Sequence, residues 1–238
     1  MVFGMVIPLG ILAALGALVA IAVFIVARLR AGEPLGLSFR TILVGYFHLM
    51  SIVAVLVLAT GLTTLLKAGM SEAFGREFSY WMPPPMVARP VPVEPGAPAP
   101  RPAQPTPEQI EEQRQRELRR IDLQVREDLI QGGTLALVSA LLWPLHAWGR
   151  RRIVLADNAW LGFFGRAHLI ILLLLFSLVG IVSLPMGLYQ LLRFFLLPVA
   201  EDMPRQPPGE SVAAAIVFVP LWVFSLVTAL RQMRRERA

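Results

Sequence analysis

The sequence predicts an all-α fold: a polytopic membrane protein with five transmembrane helices, four of them from two parallel two-helix repeats forming a bundle. Three observations carry that expectation. Hydrophobic residues make up 56% of the 238-residue chain and charged residues 16%, with a mean hydropathy of +0.64. That balance leaves too little polar surface to cover a water-soluble globule. Apolar runs recur at 5–27, 41–66, 134–149, 167–192 and 211–230, with arginines at most of their ends. About 20 helical residues cross a hydrocarbon core of ~30 Å. Finally, Gly61-Leu62-x-x-Leu65-Leu66-Lys67 returns 126 residues later as Gly187-Leu188-x-x-Leu191-Leu192-Arg193. At the same offset Arg40 meets Arg166, Ser51 meets Ser177, Val53 meets Val179 and Leu58 meets Leu184.

The first unit, 1–30, is a single helix. Its small residues Gly10, Ala13, Ala14, Ala17 and Ala20 lie close to one face, which allows another helix to approach closely. The second unit, 40–152, opens with the span at 41–66. Its 26 residues rise about 39 Å as a helix, more than the core needs, so tilt or protrusion is expected. Phe74, Phe78, Tyr80 and Trp81 follow at a position that suits an interfacial aromatic belt. Residues 82–107 contain eleven prolines. Proline fixes φ and removes a backbone donor, so this is an extended strap or spacer.

Thr106-Pro107-Glu108-Gln109 is a helix start, with a threonine cap, proline in the first turn and glutamine three residues after the cap. The helix at 107–131 is charged on most faces. Leu118, Ile121, Val125 and Leu129 form one narrow apolar seam at spacings of 3, 4 and 4. The seam suits a membrane surface or a neighbouring subunit; such charge-rich helices are also commonly just solvated. Gly132-Gly133 ends this segment, and a short third span follows to Arg150-Arg151-Arg152. A linker with Trp160, Phe163 and Phe164 then leads into the last unit, 160–238, which ends in a basic tail. At an offset of 76, Gly133 matches Gly209, Pro144 matches Pro220 and Leu145 matches Leu221. The second halves of the two repeats therefore correspond as well, more sparsely than the first halves.

Charge sets the expected orientation. With 28–40, 150–166 and the tail in the cytoplasm, that side carries eleven basic and three acidic residues. The other side carries eleven basic and thirteen acidic, mostly in one long loop. The positive-inside rule then puts the N-terminus outside and the C-terminus inside a bacterial cytoplasmic (inner) membrane. The net charge of +6 is scattered over span ends and forms no basic stripe, so nucleic acid is not an expected partner.

No Asp, Glu, Lys or Arg falls inside any apolar run. Membrane enzymes and ion pathways usually keep such groups at depth. Zero cysteines exclude disulfides, iron–sulfur clusters and thiolate metal sites. Neither a P-loop nor a dinucleotide fingerprint appears, and the chain is expected not to be an enzyme. The interior serines and threonines are of the kind that bond back to their own helix. His168 falls at a span boundary. His48 and His146 fall in one leaflet of antiparallel helices, about 12 Å from Arg40 and about 6 Å from Arg150 by helical rise. As candidates they would ligate haem iron, or one would hold a chlorophyll magnesium. The plainer expectation is no cofactor and two hydrogen-bonded interfacial histidines.

An arginine-led span ending in Gly-Leu-x-x-Leu-Leu, with a second span carrying Pro-Leu-His (144–146) or Pro-Leu-Trp (220–222), resembles an uncharacterised bacterial membrane-protein repeat family. That family is a domain of unknown function, so the resemblance implies a two-span unit used twice and brings no activity. The leading expectation is a non-enzymatic accessory subunit of a larger membrane complex, with membrane lipids and other integral-membrane subunits as partners. The alternatives are an electron- or energy-transfer subunit using His48 and His146, and a carrier for a lipid or apolar solute through spans kinked at Pro144, Pro185 and Pro220.

Overall fold

The computed structural model describes residues 38–82, 106–153, 158–197 and 206–237, with a few isolated positions before 38. Apart from those isolated positions, the first expected span (5–27) and all but the ends of the proline strap lie outside that set. The described chain is helical throughout: α1 (Phe39–Phe74), α2 (Arg76–Ser79), α3 (Pro107–Arg152), α4 (Asn158–Leu196) and α5 (Gly209–Arg237). Among the described residues, four helices (α1, α3, α4 and α5) are long and apolar enough to cross a membrane. The protein is an all-α, multi-pass membrane protein.

Each start and stop has a local cause. Ser38 caps α1, its side chain accepting from the Thr41 amide. Gly75, at φ 94°, ends α1 in a conformation L side chains rarely adopt, and the chain turns there into α2. At the start of α3 the Thr106 side chain accepts from the Gln109 amide while Gln109 Oε1 accepts from the Thr106 amide, the reciprocal cap expected from the sequence. Arg150, Arg151 and Arg152 occupy the last turn of α3, where cations complement the helix dipole.

Two expected breaks are absent. α3 runs unbroken through Gly132-Gly133, where the sequence suggested the charged helix would end. Neither glycine takes a positive φ. Gly132 instead serves packing, since a Cβ there would sit 2.9 Å from the Gly61 carbonyl oxygen and 3.0 Å from the Leu65 nitrogen. The supposed linker at Trp160, Phe163 and Phe164 is the first turns of α4. Trp160 is almost wholly buried, clustered with Val44 and stacked on Phe164 at 5.6 Å.

The most extensive packing pairs α1 with α3 and α4 with α5, and α1 then packs on both α5 and α4. The shared core holds Ile52, Leu56 and Ala59 of α1, Leu175 and Phe176 of α4, and Phe218 of α5. Each pair closes on its repeated glycine. A Cβ on Gly61 would meet the Ala136 nitrogen at 2.6 Å and the Leu135 Cβ at 3.0 Å; one on Gly187 would meet Ser211 and the Val212 nitrogen at 3.2–3.3 Å. Ser211 and Val212 are Leu135 and Ala136 displaced by 76, the spacing that aligned the second halves in the sequence.

Candidate functional site

Two regions hold the chemistry of the described chain: the end of the bundle where α3 enters it, and the opposite half of the α1–α3 pair. At the first, α3 rises about 69 Å over 46 residues, far more than a membrane core, so its charged N-terminal half projects as an arm. Asp128 fixes the arm's base. Its Oδ2 accepts from Lys67 Nζ at 2.8 Å and from the Tyr80 hydroxyl at 2.8 Å, and Lys67 stands over the Tyr80 ring at 4.5 Å. Beneath this triad Ala68, Tyr80, Ile121 and Val125 form a small buried core. Farther out, Arg76 reaches Glu72 at 2.6 Å and Asp122 at 3.1 Å. Burial first, then the hydrogen bond and charge of Asp128, push the Tyr80 phenol well above its ordinary range.

The seam expected from the sequence is split. Ile121 and Val125 are buried within the chain, against Ala68 and Tyr80, while Leu118 and Leu129 are exposed. The aromatic belt divides too: Phe78 and Tyr80 are buried, and Phe74 and Trp81 face outward.

In the opposite half, the structure brings His48 together with His168 rather than with His146. The His48 ring packs on Phe164 at 5.9 Å and on His168 at 5.6 Å. His146 packs on Tyr46 at 6.0 Å and Phe47 at 5.9 Å. Nδ1 of His48 is hydrogen-bonded to the Val44 carbonyl at 2.9 Å, that of His146 to the Leu142 carbonyl at 2.7 Å, and that of His168 to the His48 carbonyl at 3.2 Å. A carbonyl oxygen only accepts, so Nδ1 is the donor in each of these three bonds. Among the described residues no group of three or more His, Cys, Asp or Glu is placed to hold a metal ion. A groove of about 240 Å³ between α1 and α3 is lined by Met50, Val53, Val138, Leu142 and His146 among others.

The chain matches no family model, no curated protein and no solved structure.

Five of the intramembrane hydroxyls bond back to their own helix as expected, whereas the buried Ser51 and Ser183 hydroxyls have no hydrogen-bond partner among the described residues. Thr60, Thr63, Thr64, Ser225 and Thr228 each donate to the carbonyl four residues earlier. The sequence reading missed the Lys67–Asp128–Tyr80 triad. Its signals were present: Lys67 is the only lysine in the chain, and Asp128 lies three residues past Val125, on the face of the seam.

Proposed function

We propose that this protein is a non-enzymatic accessory subunit of a larger membrane assembly, and that its projecting α3 arm is the contact it offers to neighbouring subunits. The observation that carries this is the lock at the arm's base. A solvated spacer needs no fixed direction, yet two donors, Lys67 of α1 and Tyr80 of the segment after α2, converge on one carboxylate oxygen of α3. That arrangement sets the angle at which Leu118 and Leu129 are presented. The proline strap, which joins α2 to α3 in the sequence, would lie on the same side of the membrane as the arm.

The repeated Gly61 and Gly187 contacts, at matching displacements, support reading α1–α3 and α4–α5 as one hairpin used twice in the same orientation. Such a bundle is kin to the two-span repeat that the sequence resembles. With the run at 5–27 as a fifth span, the arm lies outside the cell and the arginine-rich ends of α3 and α5 inside.

Gentle detergent extraction from native membranes followed by native mass measurement tests the proposal. Co-migration with other integral-membrane chains is the expected result, and a clean monomer across mild detergents contradicts it. An absorption spectrum of the same preparation bears on the alternative. A haem or chlorophyll band that disappears in His146→Ala or His48→Ala would replace the assembly reading with a pigment-binding one.

A further inference from the structure

We propose that Arg150, at the arginine-rich end of the bundle, binds a phosphate group at the depth of the membrane headgroups. Arg150 lies one helical turn past the buried His146, on the face of α3 that packs on α1. Its neighbour Gly149 is so close to α1 that a Cβ there would meet the Phe47 ring at 2.7 Å. Arg150 is half-buried, whereas Arg151 and Arg152 are exposed. α3 stops two residues later, but α1 and α4 run on. Residues 39–47 of α1 precede His48 and residues 158–167 of α4 precede His168, roughly 14 and 15 Å of helix rise. The Arg150 charge acts on both the His48 and His168 rings. Its guanidinium therefore stands at the level of those rings, on the ledge left where α3 ends beside two longer helices.

A guanidinium drawn partly out of water is costly unless an opposite charge or hydrogen bonds replace the solvent. Lys67, Arg76 and Arg116 each find a carboxylate, but among the described residues none pairs with Arg150. The rings beside it, His48 of α1 and His168 of α4, commit Nδ1 to backbone carbonyls. The one charge acting on it is the like charge of Arg151. The site lacks a negative charge, and depth says which one the membrane supplies. On α1 His48 and Lys67 are 19 residues apart, about 29 Å of rise, which matches a ~30 Å hydrocarbon core. With Lys67 at one surface, Arg150 lies at the other, in the layer of lipid phosphates. An arginine fork matches phosphate oxygens in pairs. A phosphate ion from the water phase carries the same group.

The test is thermal unfolding of the full chain in an uncharged maltoside detergent, because a ligand of the folded state raises the melting temperature as its concentration rises. Phosphatidylglycerol, phosphate-free dioleoylglycerol and inorganic phosphate are titrated separately at constant ionic strength. A rise with phosphatidylglycerol and none with dioleoylglycerol is expected. A rise with phosphatidylglycerol alone makes a lipid the source of the phosphate, and a rise with inorganic phosphate makes the free ion sufficient. Arg150→Gln is expected to weaken the apparent affinity roughly tenfold or more, the loss of a charge-assisted contact. Arg151→Gln removes the same charge from the exposed neighbour and is expected to leave the affinity within about twofold. If Arg150→Gln does not fold, Arg150→Lys keeps the charge without the fork and is expected to weaken binding severalfold. No rise with either phosphate compound, an equal rise with dioleoylglycerol, unchanged affinity in the Arg150 variant, or an equal loss in Arg151→Gln would overturn the proposal.

Discussion

At Gly61 the α3 backbone comes so near that a methyl group would meet the Ala136 nitrogen at 2.6 Å, and backbone cannot swing aside as a side chain can. Gly61→Ala is therefore expected to cost about 1–3 kcal/mol of stability through overpacking. Gly187→Ala, with its nearest atoms at 3.2 Å, is expected to cost less. Gly133→Ala faces open space inside a helix and is expected to stabilise by about 0.5–1 kcal/mol, because alanine is the better helix former. Thermal unfolding of the three variants in one detergent gives the order. The Asp128 triad offers a second test. Asp128→Ala strands a largely buried Lys67 and the Tyr80 hydroxyl, and is expected to cost about 2–4 kcal/mol, near the lower end for breaking buried pairs. The pH dependence has a definite sign. Tyr80 has a raised folded pKa, so its contribution is complete below the ordinary phenol value of ~10 and is lost as pH climbs above it. The melting temperature is expected to fall between pH 9 and 11, and less so in Tyr80→Phe.

Among the elements, α3 is where sequence and structure part most clearly. Its cap at Thr106 and Gln109 was legible because capping is local chemistry, decided within four residues. Its continuity was not, because a glycine pair reads as a stop until the partner helix is in place. Gly132 is there for the approach of Gly61 and Leu65, a contact between residues 67 or more positions apart. The start of α4 was missed for a related reason: Trp160 and Phe164 look interfacial in isolation, yet they close over Val44 of α1. The unbroken α3 has a direct measure. Spin labels at Glu112→Cys and Trp143→Cys, both exposed positions, are expected to give a narrow distance distribution near 46 Å, the rise of a straight helix over 31 residues. A broad or distinctly shorter distribution would mean that the helix breaks at the glycines.

For the whole molecule, composition and arginine placement were enough to read a multi-pass helical membrane protein, and four long apolar helices stand among the described residues. The partnering of α1 with α3 and α4 with α5 was foreshadowed by the repeated glycine phrase, since a glycine that admits a neighbouring backbone marks where a hairpin closes. The histidines were the least legible feature. Helical rise put His48 and His146 in one leaflet at different depths, whereas in the structure His48 packs on His168 and Phe164. Many large apolar side chains of the spans, Leu141, Ile181, Leu188 and Phe224 among them, face outward, as suits lipid or neighbouring helices. The four seam residues of the arm allow the sharpest test of the assembly subunit proposed here. Photo-crosslinking residues placed singly at 118, 121, 125 and 129 in native membranes are to be compared by the mass of what they capture. Positions 118 and 129 are expected to capture a second membrane protein, while 121 and 125 crosslink within the chain to the region of Ala68 and Tyr80. If 118 and 129 capture nothing heavier than the chain itself while 121 and 125 still report the folded arm, the arm has no partner and the proposed role is wrong.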